Sequence, residues 1–179
     1  NLAHPGQSVE DVINYYERIT RQSESELLFL EEVLGVWGGD QYPALRERIG
    51  ARIAGGEVVT TPNDLMKRIK NGWYDFAQPD ATVIGGFSAM LPIFEAALQN
   101  NTGVLVHCWG GPVGMMANYH AAIIGKCNLA EWPMPEYPLR DAMAEHPWEI
   151  RDGFIFLPEA PGLGMALTRE IEAQYPFRD

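Results

Sequence analysis

Short apolar segments alternate with helical patterns along most of this 179-residue chain, and an ionisable residue stands just past each of five apolar segments. These residues are Glu31, Glu57, Asp80, His107 and Glu131, and successive members are 26, 23, 27 and 24 positions apart. Strands that alternate with helices favour right-handed βαβ units and a parallel sheet. A (β/α)8 barrel uses roughly 30 residues per unit and builds its active site at the carboxyl ends of its strands. The spacing therefore predicts an α/β fold of consecutive barrel units whose five polar side chains face one mouth.

The elements between these residues are predicted from helix caps and short apolar runs. Ser8 begins a helical pattern with an acidic residue three positions later, and Thr61 precedes Pro62, which suits the first turn of a helix. Helices are predicted over 8–22, 43–49, 62–71, 87–98, 115–124 and 168–175. Strands are predicted over 51–54, 73–76, 104–107 and 128–130, and over 27–30, which is expected to be buried on both faces.

The chain changes character after Trp132. Four prolines make the following stretch irregular, and 153–157 is predicted to be a strand that leaves the barrel. We therefore divide the chain into a barrel portion, residues 1–132, and a C-terminal segment, residues 133–179. The first residue is Asn1 rather than Met, so we expect these residues to belong to a longer gene product.

Composition argues against several classes of partner. The chain carries 13 Lys and Arg against 24 Asp and Glu, which gives a net charge of −11 and a pI near 4.7, so it offers no basic surface for nucleic acid. No apolar stretch approaches the roughly 20 residues that span a bilayer, so no membrane association is expected. With Cys108 and Cys127 as its two cysteines, the chain fits a reducing, cytoplasmic compartment.

Carboxylates on neighbouring strands indicate metal chemistry. Glu31 and Glu57 would repel each other in one mouth unless a cation lay between them, and Mg²⁺ prefers about six oxygen ligands. Asp80 and His107 follow on the next two strands. An Asp that accepts the Nδ1 hydrogen of a His orients the ring and leaves Nε2 to take a proton. Each of these residues taken alone is also compatible with a solvated loop carboxylate or a structural polar pair at the barrel rim.

The same residues carry a family resemblance that runs from about residue 1 to 179. The chain resembles the C-terminal part of the enolase superfamily, and most closely its mandelate racemase subgroup. The segments that carry the resemblance are Leu30-Glu31-Glu32, Gly56-Glu57, Gln78-Pro79-Asp80 with Gly85-Gly86, Val106-His107, and Leu157-Pro158 with Pro161-Gly162-Leu163-Gly164. The resemblance implies the C-terminal portion of a (β/α)8 barrel whose last segment returns to a capping domain.

The resemblance also implies a role for each of the five residues. Glu31 and Glu57 resemble the second and third Mg²⁺ ligands of the subgroup. Asp80 and His107 resemble its catalytic dyad, with His107 in contact with the substrate. Glu131 resembles the catalytic residue that hydrogen-bonds the substrate carboxylate, and it can donate that bond only when protonated. Mg²⁺ is the one cofactor implied.

The shared chemistry of the subgroup is Mg²⁺-dependent removal of the proton α to a carboxylate, through an enediolate intermediate. Most members with an Asp-His dyad resemble acid-sugar dehydratases, so dehydration of an acid sugar is the first expectation. Racemisation or epimerisation of a 2-hydroxy acid or related carboxylate is the alternative, and a barrel without catalytic activity is a second alternative. The expected partners are a small carboxylate substrate and further copies of the same protein in a homo-oligomer.

The chain departs from the subgroup pattern at two places. The first metal ligand of the subgroup belongs to an Asp-x-Asn segment, and Asn1 resembles the last residue of that segment. This ligand, an opposing base and the N-terminal capping domain are therefore expected upstream of Asn1. Val33 follows Glu32 where the subgroup usually has Pro, which leaves the shape of that loop open.

Overall fold

The computed structural model describes residues 7–24, 26–35, 38–144 and 148–177. Asn1, on which the expectation of an upstream ligand rests, lies outside these ranges. The helices are α1 (Val9–Gln22), α2 (Tyr42–Arg48), α3 (Pro62–Lys70), α4 (Ala81–Ile84), α5 (Phe87–Gln99), α6 (Pro112–Ile124), α7 (Pro138–Met143) and α8 (Arg169–Gln174). The strands are β1 (Leu30–Glu31), β2 (Ile53–Gly55), β3 (Phe76–Ala77), β4 (Gly103–Val106), β5 (Leu129–Ala130), β6 (Glu149–Arg151) and β7 (Phe154–Phe156).

The first five strands form one parallel sheet in the order β1-β2-β3-β4-β5. Each strand pairs with the next along the chain; Leu30, for example, is opposite Ile53, and Leu105 is opposite Leu129. A doubly wound sheet reverses its strand order at a switch point, whereas a barrel adds each strand beside the previous one. The uninterrupted order confirms the prediction of consecutive barrel units, curled here into half of a barrel.

The main core lies between this sheet and its helices. Leu65 and Ile69 of α3 and Met90, Ile93 and Ala97 of α5 recur at helical spacing and are at most 1% exposed. The strands contribute their own apolar side chains to the same core, among them Ile53, Ala77 and Val106. Burial of a large apolar side chain contributes about 1.5–3 kcal/mol. This packing holds the strands in place, and with them the loops that carry the polar residues.

Helix starts agree closely with the sequence. The Ser8 side chain accepts a hydrogen bond from the Asp11 backbone, and the Asp11 carboxylate accepts one from Ser8 N at 2.9 Å, which completes a capping box before α1. Helix α6 begins at Pro112, three residues earlier than predicted, because proline is well suited to the first position of a helix. Within the described ranges, every helix is too short or too polar to cross a membrane.

The prediction that 27–30 is a strand buried on both faces is wrong. Only Leu30 of this run belongs to β1, and Leu28 is 55% exposed. Among the strands that the structure describes, β1 has a neighbour on one side only, so the residues before it are not enclosed by the sheet. An apolar run shows that a segment can be buried, but its position in the sheet decides how far it is buried.

The C-terminal segment is more regular than its prolines suggested. Pro138 begins α7. The strand predicted at 153–157 is present as β7, which pairs with β6 as an antiparallel hairpin. The two strands meet at Asp152-Gly153, where both residues have positive φ, the geometry that makes Asp-Gly a strong hairpin signal. Trp148, just before β6, packs edge-on against Trp132 with ring centroids 5.4 Å apart, so the hairpin folds back onto the barrel portion.

Candidate active site

The five predicted residues lie at the carboxyl ends of β1 to β5. Glu31 is the last residue of β1, and His107 and Glu131 directly follow β4 and β5, while Glu57 and Asp80 lie in the loops after β2 and β3. Four of them line one cavity of about 630 Å³, whereas Asp80 lies behind His107, outside the lining. The rest of the wall is largely apolar and consists of Cys108, Trp109, Trp132, Pro133, Met134 and Pro135.

Asp80 and His107 form a hydrogen-bonded pair. The Asp80 Oδ2 to His107 Nδ1 distance is 2.8 Å, and the His107 backbone N–H also donates to the Pro79 carbonyl at 3.1 Å. The Asp80 side chain is 3% exposed, which alone would favour the protonated acid. Hydrogen bonds from His107, Asn118 and Thr82 outweigh burial and lower the pKa of Asp80 to about 2. Because the carboxylate can only accept, Nδ1 of the ring carries the hydrogen and Nε2 is left for chemistry.

The free edge of the imidazole approaches the carboxylates of the cavity. Nε2 of His107 lies 3.5 Å from Glu57 Oε2. Burial lowers the pKa of His107, but the Asp80 hydrogen bond and the charges of Glu57 and Glu131 outweigh burial and raise it. The ring can therefore take up a proton at Nε2 and hold it with Asp80 as the counter-ion.

Glu31 and Glu57 bring two carboxylates to the same cavity. Burial raises the pKa of Glu57, attraction to His107 opposes this, and repulsion from Glu31, Glu32 and Glu131 adds to it. A bound cation would relieve the repulsion between these carboxylates. Carboxylate oxygens are also the ligands that a hard cation such as Mg²⁺ prefers. In the ranges that the structure describes, however, no group of three or more His, Cys, Asp or Glu side chains surrounds one point. These residues fit Mg²⁺ in donor type and supply two of the about six oxygens that it prefers.

Glu131 is held from two sides. Its Oε1 accepts a hydrogen bond from Gln78 Nε2 at 2.7 Å, and its Oε2 accepts one from the Cys108 backbone at 3.0 Å. Burial raises the pKa of Glu131, against the effect of the Cys108 N–H. Cys108 itself is fully buried, and burial raises the pKa of its thiol to about 12, so it is a small apolar residue of the wall rather than a nucleophile.

Two fully buried amides belong to this site and were missed by sequence reasoning. Gln78 orients Glu131, while Asn118 accepts from Ala81 N at 2.7 Å and donates to Asp80 Oδ1 at 2.8 Å. The signal that could have identified Asn118 is a lone amide within a largely apolar helical run, since a buried amide needs partners. Gln78 stands two residues before Asp80, but the sequence does not show which strand end its side chain meets.

Comparison with known proteins shows which protein family this chain matches. A family model described as enolase C-terminal domain-like matches residues 3–171. A D-galactarolactone cycloisomerase from Agrobacterium fabrum is 28% identical over 150 residues, which cover 78% of this chain and 39% of that protein. A D-galactonate dehydratase family member from Enterocloster bolteae is 28% identical over 163 residues, which cover 86% of this chain and 39% of that protein.

A solved structure of another protein has a fold similar to that of this chain. An enolase from Pantoea ananatis with bound D-gluconate and Mg has a TM-score of 0.80 to this chain at 21% identity, over 95% of this chain and 41% of that one. At this identity the likeness shows the shared fold. The chain thus spans about two fifths of the length of each of these relatives.

The hydrogen bonds of Asn118 predict a stability effect. Replacing Asn118 by Leu, which is similar in size, leaves Ala81 N–H and one lone pair of Asp80 without a partner, and each unmet buried polar group costs about 1–3 kcal/mol. Chemical denaturation should therefore show a free energy of unfolding lower by at least about 1 kcal/mol. The exposed residue Asn128 is the matched control, and Asn128→Leu should change the value by less than about 0.5 kcal/mol. Equal effects of the two substitutions would contradict the assignment.

Proposed function

The chain belongs to the enolase C-terminal domain-like family, and on that basis we propose that it carries the Asp-His side of an active site that dehydrates an acid sugar. The observation that carries this proposal is the Asp80–His107 pair, whose Nε2 faces a cavity lined by carboxylates. The names of the two relatives above, a galactarolactone cycloisomerase and a galactonate dehydratase family member, support acid sugars as the substrate class.

In the proposed reaction, His107 moves the protons. With Nδ1–H bonded to Asp80, Nε2 accepts the proton from the carbon α to the substrate carboxylate, or it delivers a proton to the departing β-hydroxyl. Breaking the α C–H bond and the β C–O bond removes one water, and the resulting enol becomes a 2-keto-3-deoxy acid. Asp80 stabilises the protonated ring without taking the proton, since its pKa of about 2 keeps it ionised.

The other residues of the cavity hold the substrate carboxylate. In this proposal Glu131, whose pKa is raised by burial, donates a hydrogen bond to it, with Gln78 and the Cys108 N–H fixing the orientation of the Glu131 side chain. Glu31 and Glu57 are the proposed ligands of Mg²⁺. The ion supplies positive charge that offsets the negative charge developing on the substrate as the α-proton leaves.

A substitution of His107 tests the proposed reaction. In the protein that carries these 179 residues, His107→Asn should lower kcat for D-galactonate or D-gluconate by about 10²–10⁴-fold, measured as release of the 2-keto-3-deoxy acid. KM should change little, because the groups that hold the carboxylate remain. Asp80→Asn should be milder, since it changes the tautomer and basicity of the ring but keeps the ring. His120→Asn, on α6 and outside the cavity lining, is the control and should leave kcat unchanged.

Other outcomes of this assay separate the alternatives. Parental turnover by His107→Asn would show that the dyad is a structural pair. Exchange of the α-hydrogen with solvent deuterium, without a keto product, would favour racemisation or epimerisation. Absence of both reactions in the parent protein would favour a barrel without catalytic activity.

Loss of a proposed ligand should weaken Mg²⁺ binding. Glu57→Gln removes one carboxylate charge from the cavity. Loss of a residue that only hydrogen-bonds a metal ligand typically lowers metal affinity by roughly 10–100-fold. Because Glu57 is proposed to bind the ion directly, the Mg²⁺ affinity measured by calorimetry should fall by more than that. Glu95 lies exposed on α5, away from the cavity, and Glu95→Gln should bind Mg²⁺ as the parent does. Equal affinity of Glu57→Gln and the parent would reject Glu57 as a ligand.

We also propose that the site is completed by polypeptide outside this chain, with 1–132 as the C-terminal part of the barrel and 133–179 returning to a capping domain. The coverage of about two fifths of each relative supports this. The coding sequence upstream of Asn1 should contain the Asp of an Asp-x-Asn segment and, on an earlier strand, a Lys, Arg or His base. An intact mass of 20.0 kDa for the native protein, with Asn1 as its true first residue, would contradict the proposal.

A further inference from the structure

Glu32 is a buried carboxylate that the proposed reaction does not use. It directly follows Glu31, is 2% exposed, and has a φ of 42°, in the left-handed region that non-glycine residues seldom adopt. Burial raises the pKa of Glu32. A charged group in such a place needs specific partners, because transfer of a carboxylate out of water is strongly unfavourable without them.

The partners of Glu32 lie in the loop after β2. Its Oε1 accepts a hydrogen bond from Gly56 N at 2.5 Å, and hydrogen bonds from the backbones of both Gly56 and Glu57 lower its pKa against the effect of burial. The Glu32 backbone N–H also donates to the Ala54 carbonyl at 3.0 Å, which continues the pairing of β1 with β2. One residue thus holds the backbone on both sides of Gly55.

The two glycines of the loop fit this arrangement. A Cβ at Gly55 would lie 2.7 Å from the Tyr74 ring and 3.2 Å from Glu32 Oε1, so the space that the carboxylate needs exists because this residue has no side chain. Gly56 has a φ of +117°, a conformation that suits glycine, and its N–H donates to the Glu32 carboxylate.

A buried cation accompanies the carboxylate. Arg68 of α3 is 5% exposed and its charge lowers the pKa of Glu32. The Arg68 guanidinium also donates to the Tyr74 hydroxyl at 3.2 Å and lies over the Trp73 ring, 5.3 Å from its centroid. Helix α3 therefore supplies a positive charge that favours the ionised form of Glu32.

We propose that Glu32 is a positioning residue, which clamps the Gly56–Glu57 backbone and so sets where the Glu57 carboxylate enters the cavity. The role of Glu57 as a ligand rests on the proposed function, whereas the clamp itself does not. A single Glu-Glu pair at the end of β1 then serves two purposes: Glu31 faces the cavity, and Glu32 holds the second carboxylate from behind.

The test uses three variants of the protein that carries these residues. Glu32→Met keeps the length of the side chain but removes the acceptor oxygens. Glu32→Gln keeps one acceptor oxygen and is the conservative control. Glu31→Gln removes a cavity carboxylate and leaves the clamp intact. The readouts are amide hydrogen exchange at Gly56 and Glu57 in the absence of metal, and Mg²⁺ affinity by calorimetry.

Glu32→Met should speed exchange at Gly56 and Glu57 by about 10- to 100-fold, the effect expected for loss of a hydrogen bond to a charged group. It should also weaken Mg²⁺ binding by about 10- to 100-fold. Glu32→Gln should retain most of both properties. Glu31→Gln should weaken Mg²⁺ binding while leaving the exchange rates of the two amides as they are in the parent.

Unchanged exchange at Gly56 in Glu32→Met would overturn the clamp. Faster exchange with unchanged Mg²⁺ affinity would overturn the positioning of Glu57 and leave Glu32 with a merely structural role. A parent protein that binds no Mg²⁺ would reject the proposed function, and the exchange rates would still decide the clamp. If Glu32→Met does not fold, Glu32→Asp replaces it, since the shorter acid keeps the charge but does not reach Gly56 and should lose the same protection.

Discussion

The carboxylate of Asp80 joins three elements of this structure. Its Oδ1 accepts from the backbone and hydroxyl of Thr82 at the start of α4, both at 2.7 Å, and from Asn118 of α6, while Oδ2 meets His107 at the end of β4. A buried carboxylate is tolerated only when its lone pairs are used. The carboxylate that orients the His107 ring is therefore also bonded to two helices, α4 and α6. The orientation of the ring and the positions of these helices are coupled through this one side chain.

The cavity in front of this pair concentrates negative charge. Glu57 and Glu131 both have pKa values raised by burial, and neighbouring carboxylates contribute to each shift. The Nε2 atom of His107 lies 3.5 Å from Glu57 Oε2, so a protonated ring would offset part of this charge. A substrate that is itself a carboxylate would be repelled by such a site unless a cation were bound there. The proposed metal and the proposed substrate class thus depend on each other.

The C-terminal segment supports the edge of the site. Strand β5 is exposed, and in the described residues it pairs only with β4. The Glu131 carbonyl accepts a hydrogen bond from Tyr119 at 2.9 Å, and Tyr119 lies within an aromatic cluster with Trp132 and Trp148. Arg140 of α7, 8% exposed, lies over the Trp132 ring at 4.7 Å. The segment that the sequence suggested was irregular thus packs against Trp132, the residue that follows Glu131.

Local and periodic features of the sequence determined the helix caps, the order of the strands and the residues that follow them. Ser8 and Thr61 cap helices through bonds to residues three positions away, and parallel strands bring their carboxyl ends to one edge whatever lies between them. The tertiary structure alone decided which groups hold the side chains of the candidate site. Gln78 meets Glu131 across 53 positions, Asn118 meets Asp80 across 38, and Glu32 meets Gly56 across 24. These partners come together because separate βα units pack side by side, and a pattern repeated within each unit does not specify contacts between units.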